Sequence, residues 1–297
     1  MAIELLGYRS WRGELRAHGW ACWPIVRTGL WIVLRRKIFW LLLALGLINF
    51  LLNFAGIYII SFLSTQNPNI KKMIGGFLEA LLITSGRSEE FLDFMFHQGT
   101  VTMLLLAFAG SQLIGGDYQQ GGLAFYLSRR IDRRHYVIGK LLTIVSLVLL
   151  ITTVPALGLY LEYGLLSDSL DYLRGNLRIV VGILSYGLIM GVGLSLLLAA
   201  IAAWVPRAVP LVMTWACVFI LLPVVGENLR HIRGNRLWRL LSFWRDLRLL
   251  GKWCFDALIL EREEDRLAAW AVWIVPAICV MCLFAFIRRV RAVEIVR

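Results

Sequence analysis

The chain has 297 residues and a formal net charge of +12, yet 59% of it is hydrophobic and only 17% is charged. An ordinary soluble domain carries about 25% charged residues, so the composition excludes one and points to a bilayer. The alternating pattern of a membrane barrel is absent, which leaves an all-α fold whose helices satisfy their own backbone groups.

Residues 1–37 interleave Trp11, Trp20, Trp23 and Trp31 with Arg9, Arg12, Arg16 and Arg27. Tryptophan favours the headgroup level and arginine reaches from apolar surface to water, so this region predicts an interfacial helix lying on the inner leaflet, with Gly13, Gly19 and Pro24 breaking it. No cleavable leader is expected, because the first apolar run begins only at Ile38 and is too long for one.

Six windows then carry no charge at all: Ile38–Leu63, Gly99–Gly116, Leu141–Leu161, Ile179–Val205, Ala208–Gly226 and Leu267–Ile287. Their lengths of 26, 18, 21, 27, 19 and 21 residues bracket the roughly 20 residues that a hydrocarbon core requires at about 1.5 Å per residue. Six transmembrane helices over 38–287 follow, with a basic tail at 288–297. Within the first span Asn49 and Asn53 sit one turn apart, placed to line a polar path or, by preference, to bond a neighbouring helix. Ala107, Ser111 and Gly115 in the second span, and Gly187, Gly191, Ser195, Ala199 and Ala203 in the fourth, put a small residue at every fourth position. Such stripes let backbones approach, within one subunit or across a dimer.

Between the spans, "MIGGFLEALLIT" after the turn signal "NPN", and "RLWRLLSFWRDLRLLGKWCF" from Arg236 to Phe255, have helical apolar spacing. They are expected on the outer leaflet or against the span ends. Glu162 falls at the exit of the third span, where a solvated interfacial carboxylate is expected.

An even number of spans puts both termini on one face. That face collects 17 Lys/Arg: seven before the first span, five around Ser128–Lys140, one at Arg207 and four in the tail. The other face holds three, two and nine, largely balanced by acids, so the net charges are +12 and +1 with Glu162 apart. The basic face is expected in the cytoplasm of a plasma (inner) membrane protein, both termini included. This asymmetry accounts for the basic charge without nucleic acid as a partner.

Chemical motifs are missing. There is no G-x-x-x-x-G-K-[ST], H-E-x-x-H or G-x-S-x-G, and His18, His97, His135 and His231 are scattered. Cys279 and Cys282 form a mid-span C-x-x-C suited to packing, and the other cysteines, Cys22, Cys217 and Cys254, imply no disulfide framework. No metal site, catalytic residue or cofactor is expected in this chain, and charge-free spans argue against an ion-coupled carrier.

One segment remains, "LIGGDYQQGGLAFYLSRRIDRRHYVIGKLL" from Leu113. It resembles the signature region of ABC-2 type transporter permeases: an acidic residue closing the second span, a glycine turn, an apolar helix, a Ser-Arg turn, a basic residue, an aromatic, then Gly-Lys opening the third span. Asp117, Gly121, Leu123, Leu127, Ser128, Arg129, Arg133, Tyr136, Gly139 and Lys140 occupy those positions. Gly122 stands where threonine is common, and Arg130 and Ile131 where the family often has proline and a small aliphatic residue. The resemblance implies a permease subunit of an ATP-driven exporter, with ATP and Mg2+ held by a separate soluble ABC ATPase and a second permease subunit, identical or homologous, in the same membrane lipid. The segment from Asp117 through Tyr118 and Tyr136 to Lys140, with Arg129, Arg130, Arg133 and Arg134, would contact the ATPase, helped by the amino-terminal helix and by Trp204–Pro210. A non-transporting scaffold, or a self-contained channel or carrier, are the alternatives.

Overall fold

A computed structural model of the chain describes residues 22–66, 83, 85–122, 132–166, 170–258 and 265–290. Among them the fold is helical throughout, with no strand, and six helices are long and apolar enough to cross a membrane.

Helix α1 (Cys22–Leu34) precedes them. Pro24 does not break it. It lies in the first turn, where a backbone N–H has no helical acceptor to lose. The face formed by Ile25, Val26, Gly29 and Val33 is buried, while Trp23, Arg27 and Trp31 are exposed. The spans are α2 (Lys37–Gln66), α3 (Ser88–Gln119), α4 (Arg133–Leu166), α6 (Leu177–Trp204), α7 (Ala208–Arg233) and α9 (Ala268–Arg289). Short α5 (Leu170–Gly175) joins α4 to α6, and α8 (Phe243–Cys254) lies between α7 and α9.

The three central spans, α3, α4 and α6, are more than half buried, whereas α2, α7 and α9 expose most of their surface. The small-residue stripe of α6 decides the centre: Gly187, Gly191, Ser195, Ala199 and Ala203 are all buried. A Cβ on Gly191 would lie 3.3 Å from Val145, and one on Gly187 would run into Thr153 Oγ1, so α6 rests directly on α4 of the same chain. In α3, Ala107 and Gly115 are buried and Ser111 is half-buried. The same device seats α1, since Gly29 faces Thr143 and Gly139 faces Ile25, each with room for no more than hydrogen.

The polar residues of α2 bond across helices. Asn49 Nδ2 donates to Gln98 Oε1 of α3 at 2.9 Å, and Asn53 Oδ1 accepts from the Ile83 backbone at 3.0 Å. Helix α8 does not lie flat: it is inserted between span ends. Gly99 leaves 2.8 Å between its missing Cβ and Trp244, Gly182 leaves 2.7 Å for Phe255, and Gly251 leaves 2.7 Å for Tyr186. Of the other outer segment, "MIGGFLEALLIT", Ile83 alone is among the described residues. Glu162 differs from expectation, because both carboxylate oxygens are shielded from solvent without a partner among the described residues. All five cysteines are free.

Candidate functional site

At one end of the bundle the last two turns of α3 meet the first two of α4. Tyr136 and Lys140 are one helical turn apart on α4 and both are buried, at 0% and 4% exposure. They converge on Asp117: Tyr136 Oη donates to Asp117 Oδ2 at 2.8 Å, and Lys140 Nζ lies 2.7 Å from the same oxygen. The ammonium also donates to the Leu113 carbonyl at 2.5 Å. That carbonyl belongs to a π-helical segment, Ser111–Gly115, where the regular i→i+4 ladder is opened. A cation taken out of water is thus matched by one carboxylate, one carbonyl and, 5.7 Å away, the Tyr136 ring.

This joint is fastened to the next turn of chain. Gly115 lies so close to the Pro206 carbonyl that a Cβ would collide with it, and Gln119 Nε2 donates to that carbonyl at 2.7 Å. Trp204 Nε1 reaches the Ala285 carbonyl of α9 at 3.4 Å, and the Arg289 guanidinium sits 5.5 Å from the Trp204 ring centre. The ends of α3, α4, α6 and α9 therefore form one connected body, against which α1 packs through Ile25 and Gly29.

Asp117 and Tyr118 are half-buried, Tyr136 and Lys140 face inward, and Gly121, at φ +67°, turns the chain out of α3 in a left-handed conformation. Gln119, Gln120, Gly121, Asp132 and Arg134 form the exposed rim, and Arg133 is half-buried. Tyr118 Oη and Arg133 Nε are shielded without a partner among the described residues. Leu123, Leu127, Arg129 and Arg130 lie outside the described residues. The Gly187–Ala203 stripe is buried along α6 and reaches the joint only at its Ala203 end, next to Trp204 and Pro206, and the Asn49–Asn53 pair bonds Gln98 and Ile83 instead.

A family model described as ABC-2 family transporter protein matches residues 23–233. The chain belongs to that family. No curated protein matches it. The matched region of this ABC-2 transporter runs from α1 to the end of α7, so it contains the Asp117–Lys140 joint and the Pro206 turn whole, and the chain is a membrane transport component. Three participants carried no signal of their own in the sequence. Gln119 is an ordinary polar residue at a helix end, Pro206 acts through its backbone oxygen, and the role of Arg289 needs the fold to bring α9 beside Trp204. The place of Asp117 at the end of an apolar span, and Tyr136 and Lys140 at the start of the next, were visible beforehand.

Proposed function

We propose that this ABC-2 family chain is the membrane-spanning subunit of an ATP-driven exporter, working with a separate soluble ABC ATPase that holds ATP and Mg2+, and with a second six-span subunit. The single observation that carries this is the Asp117–Tyr136–Lys140 joint. It makes the ends of α3 and α4 move as one piece, so a push on the rim is passed to the bundle centre rather than absorbed in a loop. Residues on the rim, Gln119 to Gly121 and Arg134, are the docking contacts, and the buried Tyr136 and Lys140 are positioning residues behind them. The basic character of this end supports a cytoplasmic position for it, and for both termini, in a plasma membrane. The broad apolar surfaces of α2 and α7 are left for lipid and for the second subunit.

The test is co-expression and co-purification with a candidate soluble ABC ATPase. Arg134→Glu is expected to lose the complex while keeping the unfolding midpoint of the wild type. Asp117→Asn with Lys140→Met is expected to keep the complex but to separate ATP turnover from transport. Full coupling in both variants rejects the reading.

A further inference from the structure

Along the middle of the bundle, α2, α3 and α4 leave a groove of about 380 Å3 that the joint does not use. Its walls are apolar: Leu47 and Phe50 come from α2, and Leu150, Val154 and Pro155 from α4. Leu47, Leu150 and Val154 are 52%, 47% and 56% exposed, so the groove opens sideways, toward lipid. Gly158 makes part of the space, because a Cβ there would meet only the Phe50 ring, at 3.7 Å.

The groove carries one polar group. Gln98 of α3 lines it and is 2% exposed. Its amide is half used: Oε1 accepts from Asn49 Nδ2 at 2.9 Å, while Nε2 meets no acceptor among the described residues. A Cβ on Gly46 would stand 2.9 Å from that nitrogen, so the glycine is what lets the amide reach the groove.

No water is at hand for this donor. Gln98 is ten residues into the 32-residue α3, so with that helix centred in the bilayer it lies about 6 Å inside the hydrocarbon boundary. An unpaired amide N–H is costly there. A phospholipid tail would fill the volume but offers no acceptor at that depth. An apolar helix of a second subunit offers none either, since its carbonyls are bonded within itself. Apolar walls, one placed polar group and a volume within the range of about 300–1,000 Å3 are the marks of a small-molecule site.

We propose that the groove binds a small lipid-soluble molecule, an apolar body bearing a hydrogen-bond acceptor, which enters sideways from the membrane and accepts from Gln98 Nε2. The proposal does not rest on the ATPase reading, because binding is measured on this chain alone. The full chain is reconstituted in phosphatidylcholine nanodiscs and photolabelled with a diazirine-bearing hexadecane, or with the same chain carrying a mid-chain ketone, and the labelled peptides are mapped. The ketone probe is expected to label residues 43–50 and 150–158 about tenfold more than the alkane, the worth of one buried hydrogen bond. Gly158→Leu, which fills the groove from the α4 side, should abolish that labelling while keeping the wild-type unfolding midpoint. Gly175→Leu makes the same change at a glycine with open space around it and should leave labelling intact. Asn49→Leu with Gln98→Met removes the donor and its neighbour together, and should bring the ketone down to the alkane level. Equal labelling by the two probes in the wild type marks an ordinary lipid tail, and labelling by neither marks a face covered by a second copy. Either result overturns the proposal. So does ketone labelling that survives Gly158→Leu or the paired Asn49 and Gln98 changes, or that is lost equally in Gly175→Leu.

Discussion

Lys140 holds a charge where water does not reach, and its partners are arranged so that no single one carries it. Removing one member of a buried ion pair strands the other, at a cost of about 3 kcal/mol. Lys140→Met is therefore expected to lower unfolding stability in detergent by about that much. Adding Asp117→Asn should return part of it, giving a coupling energy measurable in a double-mutant cycle. Asp246 presents the opposite case, a carboxyl buried with no partner, whose pKa burial pushes up to about 7 although Arg245 draws it down. In the unfolded chain it titrates near 3.9. The native state then binds the extra proton between those values, so its contribution to stability is greatest below pH about 4 and is lost as pH rises to about 7. Thermal unfolding as a function of pH should show that decline in the wild type. Asp246→Asn should flatten it and be more stable at pH 8, by about 1–3 kcal/mol.

Helix packing in this bundle is set by hydrogen atoms where side chains would ordinarily stand. Gly187→Leu has to displace Thr153 and Leu149 from α4, and overpacking of this kind costs about 1–3 kcal/mol. Leu184→Ala, on the exposed face of the same helix, is expected to leave the unfolding midpoint in detergent unchanged, which separates packing from helix propensity. At this scale the sequence was a good guide wherever charge was absent, because a charge-free run of about 20 residues has few alternatives to a span. The stripe of small residues was legible for the same reason, although its partner helix was not. Helix α8 was legible as a helix, but the sequence did not choose between its two expected places, on the outer leaflet or against the span ends. Its run "SFWRDLRLL" has the same apolar spacing whether it lies on lipid or between α3 and α6, and the glycines that admit it, Gly99 and Gly182, are far away in the chain. Asp246 was hidden in the same run, one acid among many basic residues. The Asp117 joint was half legible: its residues stood out by family likeness, but their inward orientation needed the π segment, which leaves no mark in composition.

For the whole molecule, the Asp117–Lys140 joint and helix α8 lie at opposite ends of three buried helices. The topology this requires can be measured. A single cysteine replacing Gln120, in a background with Cys22, Cys217, Cys254, Cys279 and Cys282 changed to serine, and one replacing Asn235 in the same background, should label from opposite faces of a sealed vesicle. Labelling of both from one face is incompatible with α4, α6 and α7 each crossing once.

The π segment at Ser111–Gly115 has a consequence for how the joint is inherited. One residue inserted into a helix turns everything after it by about 100°, so Asp117 points at Lys140 because of a phase offset upstream of it. A descendant chain that deleted one apolar residue from that stretch would keep its hydrophobicity, its span length and every ionisable group, yet its aspartate would face away from the lysine. Alignment gaps inside this span are therefore functional positions in their own right, as diagnostic of a working permease as the residues on either side.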